Sequence, residues 1–523
     1  MKKIMFNEDW SHFYYNYWME GIDVDLDVIK EFIYRYKDTQ ITDFSMNINA
    51  QIASYPSKVM ESFIDKYRKE EEAGEYVDYK NTFAKLVYDI YEVKGIDMYA
   101  VWIDTLREIG IRPWLSFRMN DCHHNWRNVH LMISDLYRES KQLQRVRHRG
   151  LPDKSISRQN DDAFYWDRCF DYAKKEVREY MLAFIDEALG RYDTDGVELD
   201  FTREIPAFQM GAEAKGRKIM TNFLADVKAI VEKHGKARGK RIEISTLVGA
   251  DPTIIYNWGY DVVEWAKRGL IDTVIALPRW ATTYTELPVG MWKKLLEPYG
   301  VEFAAGTQIL TADNPEVAGC ANTLSSTMGC IAAYRSQGSD FTYLYNYMYN
   351  TLVGYRTVYK WTDIPEDAVS VATEENLHHV FTHAGDTEIA LRSRRRHLVS
   401  YYDFPNYWDK TVSRLPIECK DSRYYEFARV VVGQVPENSK ISLVLGTSSN
   451  YKMSEKDIYV RLNNCELKFN RVHRRDDEGF ICGWLYDVEL SEPIEEFVVL
   501  ELTTKSLPFK IEHIEVIVEP KEA

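Results

Sequence analysis

The stretch YDTDGVELDFTRE, residues 192–204, alternates apolar and acidic side chains at its centre. Successive side chains of a strand point to opposite faces. Val197, Leu199 and Phe201 then share one face, and Glu198 and Asp200 share the other. Two carboxylates aimed at one space in mid-chain need a setting that accepts them. The mouth of a parallel β-barrel is one, because the active sites of that fold lie at the C-terminal ends of its strands.

The flanking sequence keeps the rhythm a barrel requires. KIMFNEDW, ITDFSMNINAQ, IRPWLSFRMND, RIEISTLVGAD, IDTVIALPRW, VEFAAGTQIL and SDFTYLYNYM read as strands. Amphipathic stretches such as DVDLDVIKEFIYRYKDT, DRCFDYAKKEVREYMLAFIDEALG and NTLSSTMGCIAAYRSQG lie between them. With GVELD this makes eight strands in βα alternation, which predicts an α/β fold, a (β/α)8 barrel over residues 1–362. A doubly wound open sheet usually carries a glycine-rich loop after its first strand, and MFNEDWSH has none.

Past about residue 365 the texture changes. Short β-rich runs, from EIALRSRRRHLVSYYDF to KIEHIEVIVE, are divided by turn residues. They predict a C-terminal antiparallel β-sandwich over 375–523. The polar TDIPEDAVSVATEEN joins the two parts, and the basic RSRRRH reads as a solvated or interdomain face. The charged DKYRKEEEAGEYVDYK reads as a solvated helix face or loop. Residues 121–166 are a long insertion after the third strand, read as a loop that covers substrate.

Composition narrows the function classes. The chain has 523 residues, 45% hydrophobic and 28% charged, as expected for a globular protein of two domains. Its net charge of −15 argues against nucleic-acid and anionic-membrane partners. No run of about 18 apolar residues is present, and the N-terminus lacks the long apolar core of a signal peptide. Seven dispersed Cys without a CxxC pair read as free thiols in a reducing compartment, so a cytoplasmic bacterial protein is expected. With 36 Tyr and 13 Trp the chain has aromatic surface suited to stacking on sugar rings.

The strand ends then define a candidate ring. They carry Asn7, Glu8 and Asp9; Asn47, Asn49 and Gln51; Arg118, Asn120 and Asp121; and Glu198, Asp200, Thr202, Arg203 and Glu204. The later strands add Asp251; Arg279 and Trp280; Thr307 and Gln308; and Tyr345, Asn346 and Tyr347. Carboxylates, amides and aromatic rings together suit a polyhydroxylated substrate. Two carboxyl groups flanking a glycosidic oxygen can divide the work of cleavage between a proton donor and a nucleophile or base. Asp200 is the leading catalytic carboxylate. Glu204, Asp121 and Asp251 are its candidate partners, and Glu198 tunes it. Arg118, Asn120, His123, His124, Trp126, Arg203, Asp251, Arg279, Trp280, Gln308 and Asn346 are candidate substrate-binding residues. A buried ion-pair network joining Glu198 and Asp200 to Arg118 or Arg203 is the structural alternative. Adjacent His123 and His124 point apart on a strand, unlike the His-x-His of metal-dependent barrel hydrolases, so neither metal nor cofactor is expected.

DGVELDFTRE resembles the fourth-strand motif of (β/α)8 glycosidases. Family-18 chitinases carry Asp-Gly-x-Asp-x-Asp-x-Glu there. Asp195, Gly196, Glu198 and Asp200 fit that spacing, but Thr202 stands where the acid Glu belongs. The chain is more similar to the "family 10-like" group of bacterial glycosidase-like barrels, whose strand runs Asp-Gly-(aliphatic)-x-(aliphatic)-Asp-(aromatic)-x-Arg. Asp195, Gly196, Val197, Leu199, Asp200, Phe201 and Arg203 fit it. The resemblance implies a glycoside hydrolase acting on oligosaccharides, and the substitution at Thr202 supports a barrel that binds carbohydrate without cleaving it as the alternative.

Overall fold

A computed structural model describes residues 2–73, 82–123, 130–145, 168–278, 283–311, 320–348, 369–400, 415–448, 455–474, 481–490, 492–505 and 508–521. Eight parallel strands close into a barrel: β1 (Ile4–Glu8), β2 (Ile41–Asn47), β3 (Arg112–Arg118), β4 (Gly196–Asp200), β5 (Glu243–Gly249), β6 (Thr273–Leu277), β7 (Glu302–Gln308) and β8 (Thr342–Tyr345). β8 returns to pair with β1, with Asn7 opposite Tyr345. The alternation in the sequence becomes the two faces of this wall. Val197 and Leu199 join the large apolar core between strands and outer helices. Glu198 and Asp200 turn inward and are buried.

The interior is not uniform. Leu247, Ile275, Leu277 and Ala304 from β5, β6 and β7 pack with Trp114 and Tyr343 as an apolar lining. Many of the polar inward residues lie on β1, β2, β3, β4 and β8, those of β2 being Asp43, Ser45 and Asn47. Trp114 also explains a glycine of the motif. A Cβ on Gly196 would lie 2.2 Å from the Trp114 ring, so only glycine lets β4 pass this indole. The indole N–H in turn donates to Asp43 at 2.9 Å.

The C-terminal part is built from antiparallel sheets, one of five strands and one of four, with two short two-stranded pairs in the chain. Its own apolar cluster includes Val430, Leu443, Leu445, Trp484, Leu500 and Val516. One expectation needs correction. Residues 388–404 do not form a single strand: helices Glu374–His383 and Thr387–Arg392 precede strand Arg395–Leu398. Both helices belong to the barrel's outer layer. The Gln40 amide donates to the Phe381 carbonyl, and the Thr342 hydroxyl to the Ala384 carbonyl. Asp386 and Thr373 cap these helices, a signal that the β-rich neighbourhood masked.

The basic run is an interdomain face and not a solvated one. Arg395, Arg396 and His397 are all buried. Helix Leu324–Ser336 lies against them, so closely that a Cβ on Gly329 would fall 2.4 Å from the Arg396 carbonyl oxygen. Arg396 pairs with Glu515, both fully buried, and Arg429 reaches from the C-terminal sheet to Glu286 of the barrel at 2.6 Å. Among the described residues no helix is long and apolar enough to cross a membrane.

Candidate active site

The site is built on the inward side chains of β1, β3, β4 and β8. Register sets its layers: Ser116 lies opposite Glu198, and Arg118 opposite Asp200. In the deeper layer Glu198 accepts from Asn7 Nδ2 at 2.6 Å and from the Tyr343 hydroxyl at 2.9 Å. Among the described residues no cation pairs with it. Burial, and next the nearby Asp200 charge, push its pKa up to about 7 against the pull of the Ser116, Tyr343 and Asn7 hydrogen bonds.

One layer higher, Asp200 is held from two sides. Its Oδ1 accepts from the Thr202 amide at 2.8 Å, the Thr202 hydroxyl at 2.7 Å and the Arg203 amide at 3.2 Å. Its Oδ2 accepts from the Tyr345 hydroxyl at 3.0 Å. Burial, with Glu198 and Asp200 beside them, drives both tyrosine hydroxyls well above their usual range, so they remain donors. Thr202 thus takes a definite role: it closes the turn after β4 onto the carboxylate.

A charged belt surrounds this pair. Arg118 donates to Asp9 through Nη2 and faces Asp121 through Nη1 at 3.5 Å. Asp121 contacts His123 Nδ1 at 2.8 Å, and Arg203 Nη2 faces His123 Nε2 at 2.5 Å. Because arginine only donates, Nε2 is the acceptor and Nδ1 carries the proton toward Asp121. Burial alone would raise the Asp121 carboxyl, but His123, Arg118 and Arg203 hold it well below the usual carboxylate range. Burial keeps His123 below its ordinary value even beside Asp121. Burial would raise Asp9, but Arg118, the Ser11 hydrogen bonds and Arg203 together hold it below its ordinary value. The arginines therefore pair with Asp9, Asp121 and His123, and not with Glu198.

The other expected residues fall in several places. Glu204 is fully buried, and Glu204 and Asp121 both act electrostatically on Cys122. Asn120 is committed to backbone, donating to the Phe170 and Pro206 carbonyls and accepting from the Phe170 amide. Gln308 donates to the Pro278 carbonyl at 2.8 Å. Asp251 caps helix Pro252–Asn257 by accepting from the Thr253 and Ile254 amides. Asn346 ends β8 in the left-handed region, φ 55°, with Oδ1 lacking a hydrogen-bond partner among the described residues. His124, Trp126, Arg279 and Trp280 lie outside the described residues. The described parts of 121–166 sit on the C-terminal side of the barrel, where the Ser134 amide donates to Gln51 Oε1 and Arg145 Nε to the Phe208 carbonyl.

Tyr343 escapes the sequence reading, and Asn7, Asp9 and Tyr345 appear in it only as strand-end residues. The signal for Tyr343 was parity: it precedes Tyr345 by two and so faces the same interior. No group of three or more potential metal ligands gathers among the described residues.

No protein-family model matches the chain, and no curated protein matches it. Solved structures give distant likenesses. An α-amylase from Geobacillus thermoleovorans complexed with acarbose is 12% identical over 97% of this chain and 99% of that one, with a TM-score of 0.35. α-L-Fucosidase isoenzyme 1 from Paenibacillus thiaminolyticus is 13% identical over 97% of each chain, with a TM-score of 0.35. The PgaB (BpsB) glycoside hydrolase domain from Bordetella bronchiseptica is 10% identical over 66% of this chain and 93% of that one, with a TM-score of 0.37. At these values the likenesses carry no argument about activity; the barrel rests on its own strand pairing, and the chemistry on its own residues.

Proposed function

We propose that the chain is a glycoside hydrolase that cleaves oligosaccharides at the C-terminal mouth of the barrel. One observation carries the reading: two carboxyl groups, two residues apart on β4, face the same interior in different settings, Glu198 among neutral donors and Asp200 in the turn after β4. Divergent environments of this kind divide acid from base work between like groups. Glu198 is held by neutral donors with its pKa at about 7. Asp200 is fixed one layer nearer the mouth by Thr202, Arg203 and Tyr345. In this reading Asp200 attacks the anomeric carbon or activates water, and Glu204 is the proton donor to the leaving oxygen. Glu198 sits beneath and limits negative charge in the deeper layer. Asp121, kept ionised by its basic neighbours, stabilises positive charge developing on the sugar, and Arg118 and Arg203 hold this belt in place.

The reaction is tested with Asp200→Asn, which keeps the shape of the side chain. Hydrolysis of a panel of aryl glycosides and oligosaccharides is expected to fall by several orders of magnitude while sugar binding and the melting temperature are retained. A variant that keeps its activity overturns the assignment. Thr202 favours the second reading, a barrel that binds sugar without cleaving it, because its hydroxyl is spent on Asp200 at 2.7 Å where an acid would otherwise stand. A wild-type protein that binds sugars and cleaves none of the panel supports that reading.

A further inference from the structure

A cavity of about 500 Å³ lies on the flank of the barrel, apart from the belt of β3 and β4. Two helices form its walls. Helix Leu26–Tyr34 and its C-terminal extension contribute Glu31, Tyr34 and Arg35, whose spacings of three and four place them on one face. Helix Glu374–His383 contributes Glu374 and His378, again four apart. Glu31, Arg35, Glu374 and His378 are exposed, so the rim is polar. The floor is aromatic and buried: Tyr36 and Tyr347 are each 1% exposed.

One floor residue is different in kind. His12 is 2% exposed, yet it belongs to the cavity lining. Its Nδ1 faces Glu8 Oε1 at 2.7 Å, and Glu8 Oε2 accepts from the Tyr36 hydroxyl at 2.8 Å. Among the described residues Nε2 has no hydrogen-bond partner. A buried imidazole held by Glu8 and free at Nε2 thus lines a cavity whose rim adds two carboxylates. The Arg35 guanidinium, the one strong cation of this rim, already lies over the Phe32 ring at 4.7 Å.

We infer that this cavity is a second ligand site, separate from the barrel mouth, which takes a small hydroxyl-bearing molecule of the monosaccharide class. The carboxylates of Glu31 and Glu374 and the His12 imidazole call for a ligand rich in hydroxyl groups, which can both donate and accept. The aromatic floor calls for one that also has an apolar C–H face, and the volume is that of a small-molecule pocket. A sugar ring meets all three. The choice of sugars rests on the reading of the mouth; the cavity and its imidazole do not.

The test is saturation-transfer NMR and calorimetry on the full chain with glucose, galactose and glucosamine at millimolar concentration. Each is measured on wild type, Asp200→Asn, Glu374→Ala and His378→Trp. The last two change exposed helix positions, so folding is retained, and the tryptophan fills the groove. The expected result is a flank binding event, beside any at the mouth, in wild type and Asp200→Asn alike, weakened about tenfold in Glu374→Ala and lost in His378→Trp, which keeps binding at the mouth. Binding indifferent to both groove variants, or binding of none of the three probes, overturns the site. Neither outcome bears on hydrolysis at the mouth, which the Asp200→Asn rate measures separately.

Discussion

Replacing Glu198 with Gln removes a proton-binding group and keeps the shape of its neutral form. In the folded protein Glu198 holds its proton up to about pH 7, against an ordinary value of 4.5. The folded state therefore binds more protons than the unfolded state between those two values. Stability is a decreasing function of pH wherever that holds. The contribution is fully present below pH 4.5 and is lost as pH rises through about 7. At 1.36 kcal/mol per pH unit the interval corresponds to ~3 kcal/mol, as an order of magnitude. Glutamine does not titrate, so Glu198→Gln lacks this slope. Urea unfolding of the two proteins, run in parallel from pH 4.5 to 8.5, isolates the group because every other titration is common to both. At pH 4.5 the offset measures only the mismatch of an amide for an acid against Asn7 and Tyr343. Above pH 7 the variant should gain on wild type by ~3 kcal/mol. A difference that stays flat across this range refutes the reasoning, and with it the claim that Glu198 is protonated beneath Asp200.

Two further outcomes follow from the same network. Tyr345→Phe leaves Asp200 Oδ2 without its hydroxyl donor and should cost about 1–3 kcal/mol in urea unfolding at pH 7, the price of an unsatisfied buried acceptor. Arg118→Met leaves Asp9 and Asp121 without their shared guanidinium and should cost roughly 3–5 kcal/mol, a loss that shrinks as pH falls through the ordinary carboxylate range, where the variant's unpaired acids take up protons and the paired acids of wild type do not; a loss that is constant down to pH 2 would contradict the pairing.

The barrel was legible because β-rich runs and amphipathic helical stretches alternate along the first 350 residues. Glu198 and Asp200 were legible as inward groups because parity fixes a face without any knowledge of neighbours. Partners were not legible. Arg118 meets Asp9 from 109 residues away, and Tyr343 meets Glu198 from 145, contacts set by strand order and register. Asp251 shows the converse. At a strand end it looks catalytic, yet Pro252 after it is the signature of a helix start, and the side chain serves as a cap. Asn120 likewise has a hydroxyl-binding chemistry that the fold spends on two loops. The helices at 374–392 were hidden because their short amphipathic period runs straight into a β-rich segment.

The glycine at 329 bears on how the molecule comes apart. It lets a barrel helix touch the backbone of strand Arg395–Leu398, and this strand pairs with Arg395 opposite Val518 at the far end of the chain. The same strand is thus shared property: its carbonyls face one unit and its ladder serves the other. Pulling the C-terminal sheets away would strand Arg395, Arg396 and Glu515, all buried, in the exposed scar. The two parts are therefore expected to unfold together, in one transition that calorimetry would show, and to lose solubility when expressed apart.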